Sequence, residues 1–347
     1  MRQKTIMTLL LLSIPVFSVL NLTIGSVAIP VGDVFDILNP LTDTLPTDGN
    51  AEIWRNIILY TRLPQTLTAI ACGAGLSVAG LEMQTVFHNP LAGPSVLGIS
   101  SAASLGVAFV VLVGGAIGGG TMQQFGFVGN TALTVAAIFG AMSIMALIVF
   151  LSQRVHGNAT LLITGVLIGY IASAIIGVLK YFSNEEDIRA YVVWGLGSFA
   201  RVSGGQVYVF VSLIAVLLPF TMLLAKPLNI LLLGERYAAN LGLNVKRSRM
   251  LTIASAGILT AVVTAYCGPI MFLGLAVPHI CRGMFATTDH RLLLPATMFC
   301  GASLALGCNL LARMPGLEGA LPINSVTALI GAPIALYILL KRKSRME

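Results

Sequence analysis

Four histidines and five cysteines are the residues of this chain that could bind a metal or attack a substrate. His88, His156, His279 and His290 are scattered in sequence, and a metal site needs several ligands to converge. Cys72, Cys267, Cys281, Cys300 and Cys308 lie in or beside apolar runs without metal-ligand spacing, so they read as small packing residues. The glycine run Gly114–Gly120 lacks the Lys and Ser/Thr of a phosphate loop, and no Gly-Lys pair occurs in the chain. The chain therefore shows no ATP site of its own. No His, Asp or Ser constellation suggests an enzyme. One acid, Glu82, falls inside an apolar run, and an acid within a membrane is a functional candidate by default. It lies about one turn from the end of its run, so local pairing with water or a basic neighbour is weighed above pathway lining.

The elements that would position these residues are membrane helices. The chain has 347 residues, of which 56% are hydrophobic and 10% charged. A soluble domain carries roughly a quarter charged residues. Ten apolar runs approach the roughly 20 residues a span requires, near 5–25, 64–86, 95–114, 131–152, 160–182, 205–225, 248–267, 271–285, 291–312 and 323–341. The eighth is short and interrupted by Pro269 and Pro278, so it is expected to be a partial span. The first could be a signal peptide ending near Ser26-Val27-Ala28, but its apolar run exceeds a usual signal core and favours a retained span. A single transmembrane domain, residues 1–347, is expected, with outer segments at 26–62 and 183–204.

Charge orients the ten-span arrangement. With the N-terminus inside, fourteen Lys and Arg fall on the cytosolic side. They are Arg2, Lys4, Arg154, Lys226, Arg236, Lys246, Arg247, Arg249, Arg282, Arg291, Lys341, Arg342, Lys343 and Arg345. Six fall outside: Arg55, Arg62, Lys180, Arg189, Arg201 and Arg313. Asp33, Asp36, Asp43, Asp48, Glu52, Glu185, Glu186, Asp187 and Glu318 also fall outside. This matches the positive-inside rule and places both termini in the cytosol. The basic residues sit in short loops between spans, so they read as topology signals and not as a nucleic-acid surface.

The segment Lys226–Arg249 is the longest basic interruption. Five Lys or Arg accompany one acid, Glu235. Pro227 suits the first turn of a short helix, Gly234 breaks it, and Gly242 can cap a second. Leu233, Tyr237, Ala238 and Leu241 recur at helical spacing. Such a half-apolar hairpin in the cytosol suits a soluble partner, the alternative being a helix lying on lipid.

Four further stretches stand out. Arg62-Leu-Pro-Gln65 lies at the outer mouth of the second span, and Met83–Pro94 forms a proline-shaped turn at its inner end. Tyr181–Arg189, followed by Trp194–Phe199, could form a short helix across the outer mouth of a pathway. The fourth is Gly268–Arg282. With Leu233–Gly242, Asp289–Pro295 and Pro322–Pro333, these stretches resemble the FecCD family from about residue 54 onward. Its members are permease subunits of bacterial ABC importers for ferric siderophores, haem and cobalamin. The match runs through Met83-Gln84, Phe87 and Asn89-Pro90-Leu91-Ala92, then Leu233-Gly234-Glu235 and Leu241-Gly242. It continues through Gly268, Phe272, Pro278-His279 and Arg282, and ends at Asp289-His290-Arg291. Each motif alone is weak; together, in order, they are specific.

The resemblance implies an all-α, ten-helix type II importer permease in a bacterial inner membrane. It implies a second permease copy, two ATPase subunits that use ATP and Mg, and a periplasmic binding protein; no cofactor is implied for this chain. It assigns ATPase coupling to Leu233, Gly234, Glu235, Ala239, Leu241 and Gly242. A cytosolic gate falls at Asn89, Leu91 and Asn158, and a periplasmic gate at Trp194 and Gly195. Arg62 and Arg313 match arginines that dock the binding protein, while Gln65 stands where relatives commonly place another Arg. The expected cargo is a ferric siderophore or haem, with cobalamin as the alternative. An ion-coupled transporter is the competing class, and Glu82 is its one candidate acid.

Overall fold

The computed structural model describes residues 2–39, 51–114, 126–154, 157–315 and 319–343. Asp43, Asp48, most of the Gly114–Gly120 run, His156, Glu318 and Arg345 lie outside them, as does the side chain of Asn158.

The described residues form helices and connecting turns. The helices are α1 (Arg2–Thr23), α2 (Val31–Leu38), α3 (Ala51–Val86), α4 (Ile99–Val113), α5 (Gly126–Arg154), α6 (Asn158–Tyr181) and α7 (Glu185–Gly195). They continue as α8 (Gly205–Leu223), α9 (Ala225–Leu231), α10 (Glu235–Asn240), α11 (Val245–Cys267), α12 (Leu273–Phe285), α13 (His290–Ala312) and α14 (Ile323–Lys343). All ten expected runs are helical, and the architecture is all-α. Among the described residues, seven helices are long and apolar enough to cross a membrane: α1, α3, α5, α6, α8, α11 and α13. α4 and the apolar part of α14 are shorter. α12 has only 13 residues, as its two prolines foretold.

α3 is the central pillar, and its sequence explains why. Ala69, Ala71, Cys72, Gly73, Ala74, Gly75, Ser77, Ala79 and Gly80 are all buried. Small side chains let neighbouring backbones approach, which is how membrane helices gain packing contacts in lipid. Gly73 lies against the backbone of Gly301 on α13, and Gly80 against that of Gly274 on α12. A Cβ at either position would overlap main-chain atoms. Bulky apolar side chains point outward from α5 and α6, among them Phe139, Leu147, Phe150, Ile163, Leu167 and Ile171. Such faces suit lipid or a second copy.

Polar side chains within the bundle bond close to home. Thr66, Thr252, Thr260 and Thr297 each donate to a carbonyl one turn earlier. α1 is tied to α13 where Asn309 donates to Asn21 Oδ1 at 2.8 Å and Asn21 donates to the Leu306 carbonyl at 3.0 Å.

Candidate functional site

Two faces of the bundle hold the expected functional residues. The basic face carries the Lys226–Arg249 hairpin, the turn after α3 and the turn before α13. The opposite face carries α2, α7 and the end of α13.

On the basic face the hairpin folds as its glycines dictate. α9 ends at Leu231, Gly234 sits at φ 95°, and α10 follows. Gly242 at φ 82° ends α10, and Asn244 then caps α11 by accepting from Arg247 N at 3.0 Å. Both glycine conformations are ones that side chains rarely adopt. Ala238 is fully buried and anchors the hairpin, while Leu233, Tyr237 and Leu241 are 59%, 70% and 63% exposed. Glu235, Ala239 and Gly242 are exposed too. Glu235 faces Arg249 at 3.9 Å. The hairpin thus presents an apolar surface rimmed by charge.

The turn after α3 packs beside this hairpin. Asn89 Oδ1 accepts from Leu91 N at 2.9 Å, which makes Asn89 a turn-former, and Leu91 is exposed. His88 adopts φ 50°, and its Nε2 donates to the Leu231 carbonyl at 2.9 Å. His279 Nε2 donates to the Pro90 carbonyl at 2.7 Å. Carbonyls only accept, so both rings carry hydrogen on Nε2. Arg282 donates to Gln84 Oε1 at 2.6 Å, and Gln84 donates to the Leu275 carbonyl at 3.1 Å. Asn158 begins α6, four residues after α5 ends at Arg154.

On the opposite face, Asn184 caps α7 by accepting from Asp187 N at 2.9 Å, and three acids fill its first turn. Trp194 is buried and Gly195 half-buried. The Arg201 guanidinium stacks 5.6 Å from the Trp194 ring centroid and donates to the Trp194 carbonyl at 3.2 Å. Burial lowers the Arg201 pKa to about 10.

Two residues sit deeper than the sequence suggested. Arg62 is 1% exposed and offers no surface to a docking protein. Its guanidinium donates to the carbonyls of Leu22 at 2.6 Å and Thr23 at 3.0 Å, and to that of Val27. Arg62 therefore closes the turn after α1. Arg313 remains half-exposed beside it: a Cβ on Gly25 would lie 3.0 Å from Arg62 Nη2 and 3.2 Å from Arg313 Nη2. Arg313 Nη1 is buried without a hydrogen-bond partner, and burial lowers the Arg313 pKa. Glu82 is the second, and its local pairing is with Ser255. It is fully buried and reaches no basic neighbour; Ser255 on α11 donates to its Oε1 at 3.0 Å, and Oε2 has no partner.

Sequence reasoning missed the histidine contacts and Asn229, which accepts from His290 N and Nδ1 at 2.8 Å each. The motif Asp289-His290-Arg291 was the available signal. Among the described residues no three His, Cys, Asp or Glu converge to hold a metal.

The model of the FecCD transport family matches residues 10–341. The chain belongs to that family. The match extends the likeness seen in the motifs back into α1. A vitamin B12 import system permease protein, BtuC, of Klebsiella pneumoniae is 38% identical over 306 residues, 88% of this chain and 87% of that protein. Its counterpart in Escherichia coli O127:H6 is 37% identical over 297 residues, covering 86% and 87%. A metal-chelate type ABC transporter solved in an inward-facing conformation superposes with a TM-score of 0.81 at 28% identity, covering 97% of this chain and 99% of that one. PsaBC from Streptococcus pneumoniae shares the fold at a TM-score of 0.51 and 17% identity, covering 83% and 94%. Family membership makes this chain a multi-pass permease subunit of an ABC importer, with ATP hydrolysis in separate subunits.

Proposed function

We propose that this chain is the permease of an importer that carries a corrinoid, vitamin B12 or a close chemical relative, from periplasm to cytoplasm. The observation that carries the cargo is the 38% identity to a vitamin B12 import permease along 88% of the chain. A second reading, a ferric siderophore or haem, draws on the likeness to a metal-chelate type transporter at 28% identity. The lower identity ranks it second.

A mechanism follows from this reading. Two copies enclose the pathway between them. The basic face lies in the cytosol, where a positive excess favours retention, and both termini lie with it. Leu233, Gly234, Glu235, Ala239, Leu241 and Gly242 meet the ATPase, since the apolar side chains of this hairpin stand exposed in one chain. ATP-driven closure of the ATPase pair moves the hairpin. The turn bearing Asn89 and Leu91, with Asn158, opens the cytosolic end, and the α7 region around Trp194 and Gly195 opens the other. Arg313, which is half-exposed, meets a carboxylate of the binding protein; a guanidinium fork suits that pairing.

The test is reconstitution in liposomes with the neighbouring ATPase and binding protein. Cobalamin-loaded binding protein should stimulate ATP hydrolysis and uptake. Stimulation by haem or a ferric siderophore instead would replace the cargo. Uptake driven by an ion gradient without any ATPase would overturn the importer reading.

A further inference from the structure

A chain of side-chain hydrogen bonds leaves α9 and ends inside the bundle. Asn229 on α9 donates from Nδ2 to Asp289 Oδ1 at 2.6 Å. A carboxylate only accepts, so this contact fixes the amide with Oδ1 turned the other way. Oδ1 accepts from His290 N and from His290 Nδ1, each at 2.8 Å. A neutral His290 that donates from Nδ1 accepts at Nε2, so the Thr85 hydroxyl 2.7 Å away donates there, with the Leu81 carbonyl 2.9 Å from the same oxygen. His290 and Thr85 are buried.

The backbone accounting gives this chain of bonds a direction. A helix leaves its first N–H groups without internal partners. At the start of α13, Asp289 takes Arg291 N at 3.0 Å and Asn229 takes His290 N. So α9 supplies part of the cap of a helix 61 residues further on. A second link runs to α3, where His88 donates to Leu231 O at the end of α9. His88 holds φ 50°, a conformation that a non-glycine residue keeps only where surroundings enforce it. The apolar face of α9 is also seated, with Ala225, Leu228 and Leu231 buried. α9 is therefore gripped by the ends of α3 and α13, the two helices joined at Gly73 and Gly301. It is also the helix that leads directly into the exposed hairpin.

We infer that Asn229, His290, Thr85 and His88 form a positioning relay that carries movement of the ATPase-facing hairpin into α3 and α13. The inference rests on the docking role proposed for that hairpin. A push on the hairpin displaces α9 as a unit. Asn229 then shifts the N-terminus of α13, and His88 shifts the turn that bears Asn89 and Leu91. Apolar packing alone would tolerate sliding; directed hydrogen bonds keep the displaced ends in register.

Thr85→Val tests the relay from its inner end, far from the hairpin surface. It keeps the side-chain shape and removes the hydroxyl that meets His290. In liposomes with ATPase and loaded binding protein, cargo moved per ATP hydrolysed should fall about tenfold, the size of one lost buried hydrogen bond in a two-state equilibrium. Asn229→Asp should lower the same ratio, because it sets two carboxylates face to face. The double change N229D with D289N removes the facing carboxylates and lets the amide now at position 289 donate to the carboxylate now at position 229, giving up only the cap on Arg291 N, and should restore most of the ratio. A purely structural cap would alter melting temperature and leave cargo per ATP unchanged. An unchanged ratio in Thr85→Val, or no recovery in the exchanged pair when both assemble with the ATPase, overturns the relay. Failure of the wild-type chain to recruit any ATPase would overturn the docking role itself, and the relay with it.

Discussion

Replacing Arg62 by Ala separates a clamp from a docking residue. The side chain is 1% exposed and donates to three backbone carbonyls, those of Leu22, Thr23 and Val27. Alanine leaves these acceptors without partners at the junction of α1 and α3. A hydrogen bond to a charged group contributes about 1.5–3 kcal/mol, and three on one guanidinium do not add in full. Removing Arg62 also frees its neighbour Arg313 from a like charge, which offsets part of the loss. The expected net cost is about 3 kcal/mol, within the range for removing one partner of a buried charged contact. On the scale of roughly 2–4 °C per kcal/mol for large domains, melting in detergent should fall by about 6–12 °C. Scanning fluorimetry of the purified chain reads this directly. Arg313→Ala is the companion: it should melt near wild type and bind the binding protein more weakly. Unchanged melting in R62A together with weakened docking would refute the clamp and return Arg62 to the surface role its motif suggested.

Gly80→Ala places a methyl group into the backbone of Gly274, whereas Gly283→Ala meets nothing within 4 Å. The first should lose about 1–3 kcal/mol of stability by overpacking, and the second should be neutral or gain; equal melting would refute the close approach of α3 and α12. Glu82→Gln keeps an acceptor for Ser255 and should leave ATP-driven uptake intact; abolished uptake would favour ion coupling. Gly234→Ala forces a side chain into φ 95°, at a cost of about 1–3 kcal/mol, and co-purification with the ATPase should drop. The Asp289 carboxyl is held below the usual carboxylate range by Arg291 N–H and then by the Asn229 amide. A depressed folded-state pKa stabilises above the unfolded value and is lost as pH falls through the folded one. The melting difference between wild type and Asp289→Ala should therefore be full at neutral pH and vanish in acid below that range.

The helices were legible because lipid imposes a length, and apolar runs of that length have few other uses. The hairpin was legible because Gly234 and Gly242 break helices wherever they fall. Arg62 was not, because its partners are main-chain carbonyls of residues 22, 23 and 27, and every residue carries one. The histidines looked scattered because their partners lie far away in sequence: His88 reaches Leu231 across 143 residues, and Thr85 reaches His290 across 205. Glu82 was placed near water by counting from the end of its span, but it is fully buried and Ser255 on α11 donates to it. Periodicity places a residue on a helix; only the packing of helices tells it what it will touch.

The short helix α12 bears on how this protein reaches the membrane at all. Its 13 residues rise about 20 Å, against roughly 30 Å of hydrocarbon. Ahead of it, Gly268 at φ 79° and Phe272 at φ 69° bracket backbone that is not helical. The Met271 amide in that stretch bonds to Asn324 Oδ1 at 3.0 Å, and Asn324 N bonds to the Leu196 carbonyl at 3.3 Å. Bare peptide groups are costly in lipid, and these find partners only when α7 and α14 are in place. During synthesis α12 emerges more than thirty residues before Asn324 does. The Met271 bond to Asn324 can therefore form only after α14 has been made, so the entry to α12 takes its final place late in biogenesis.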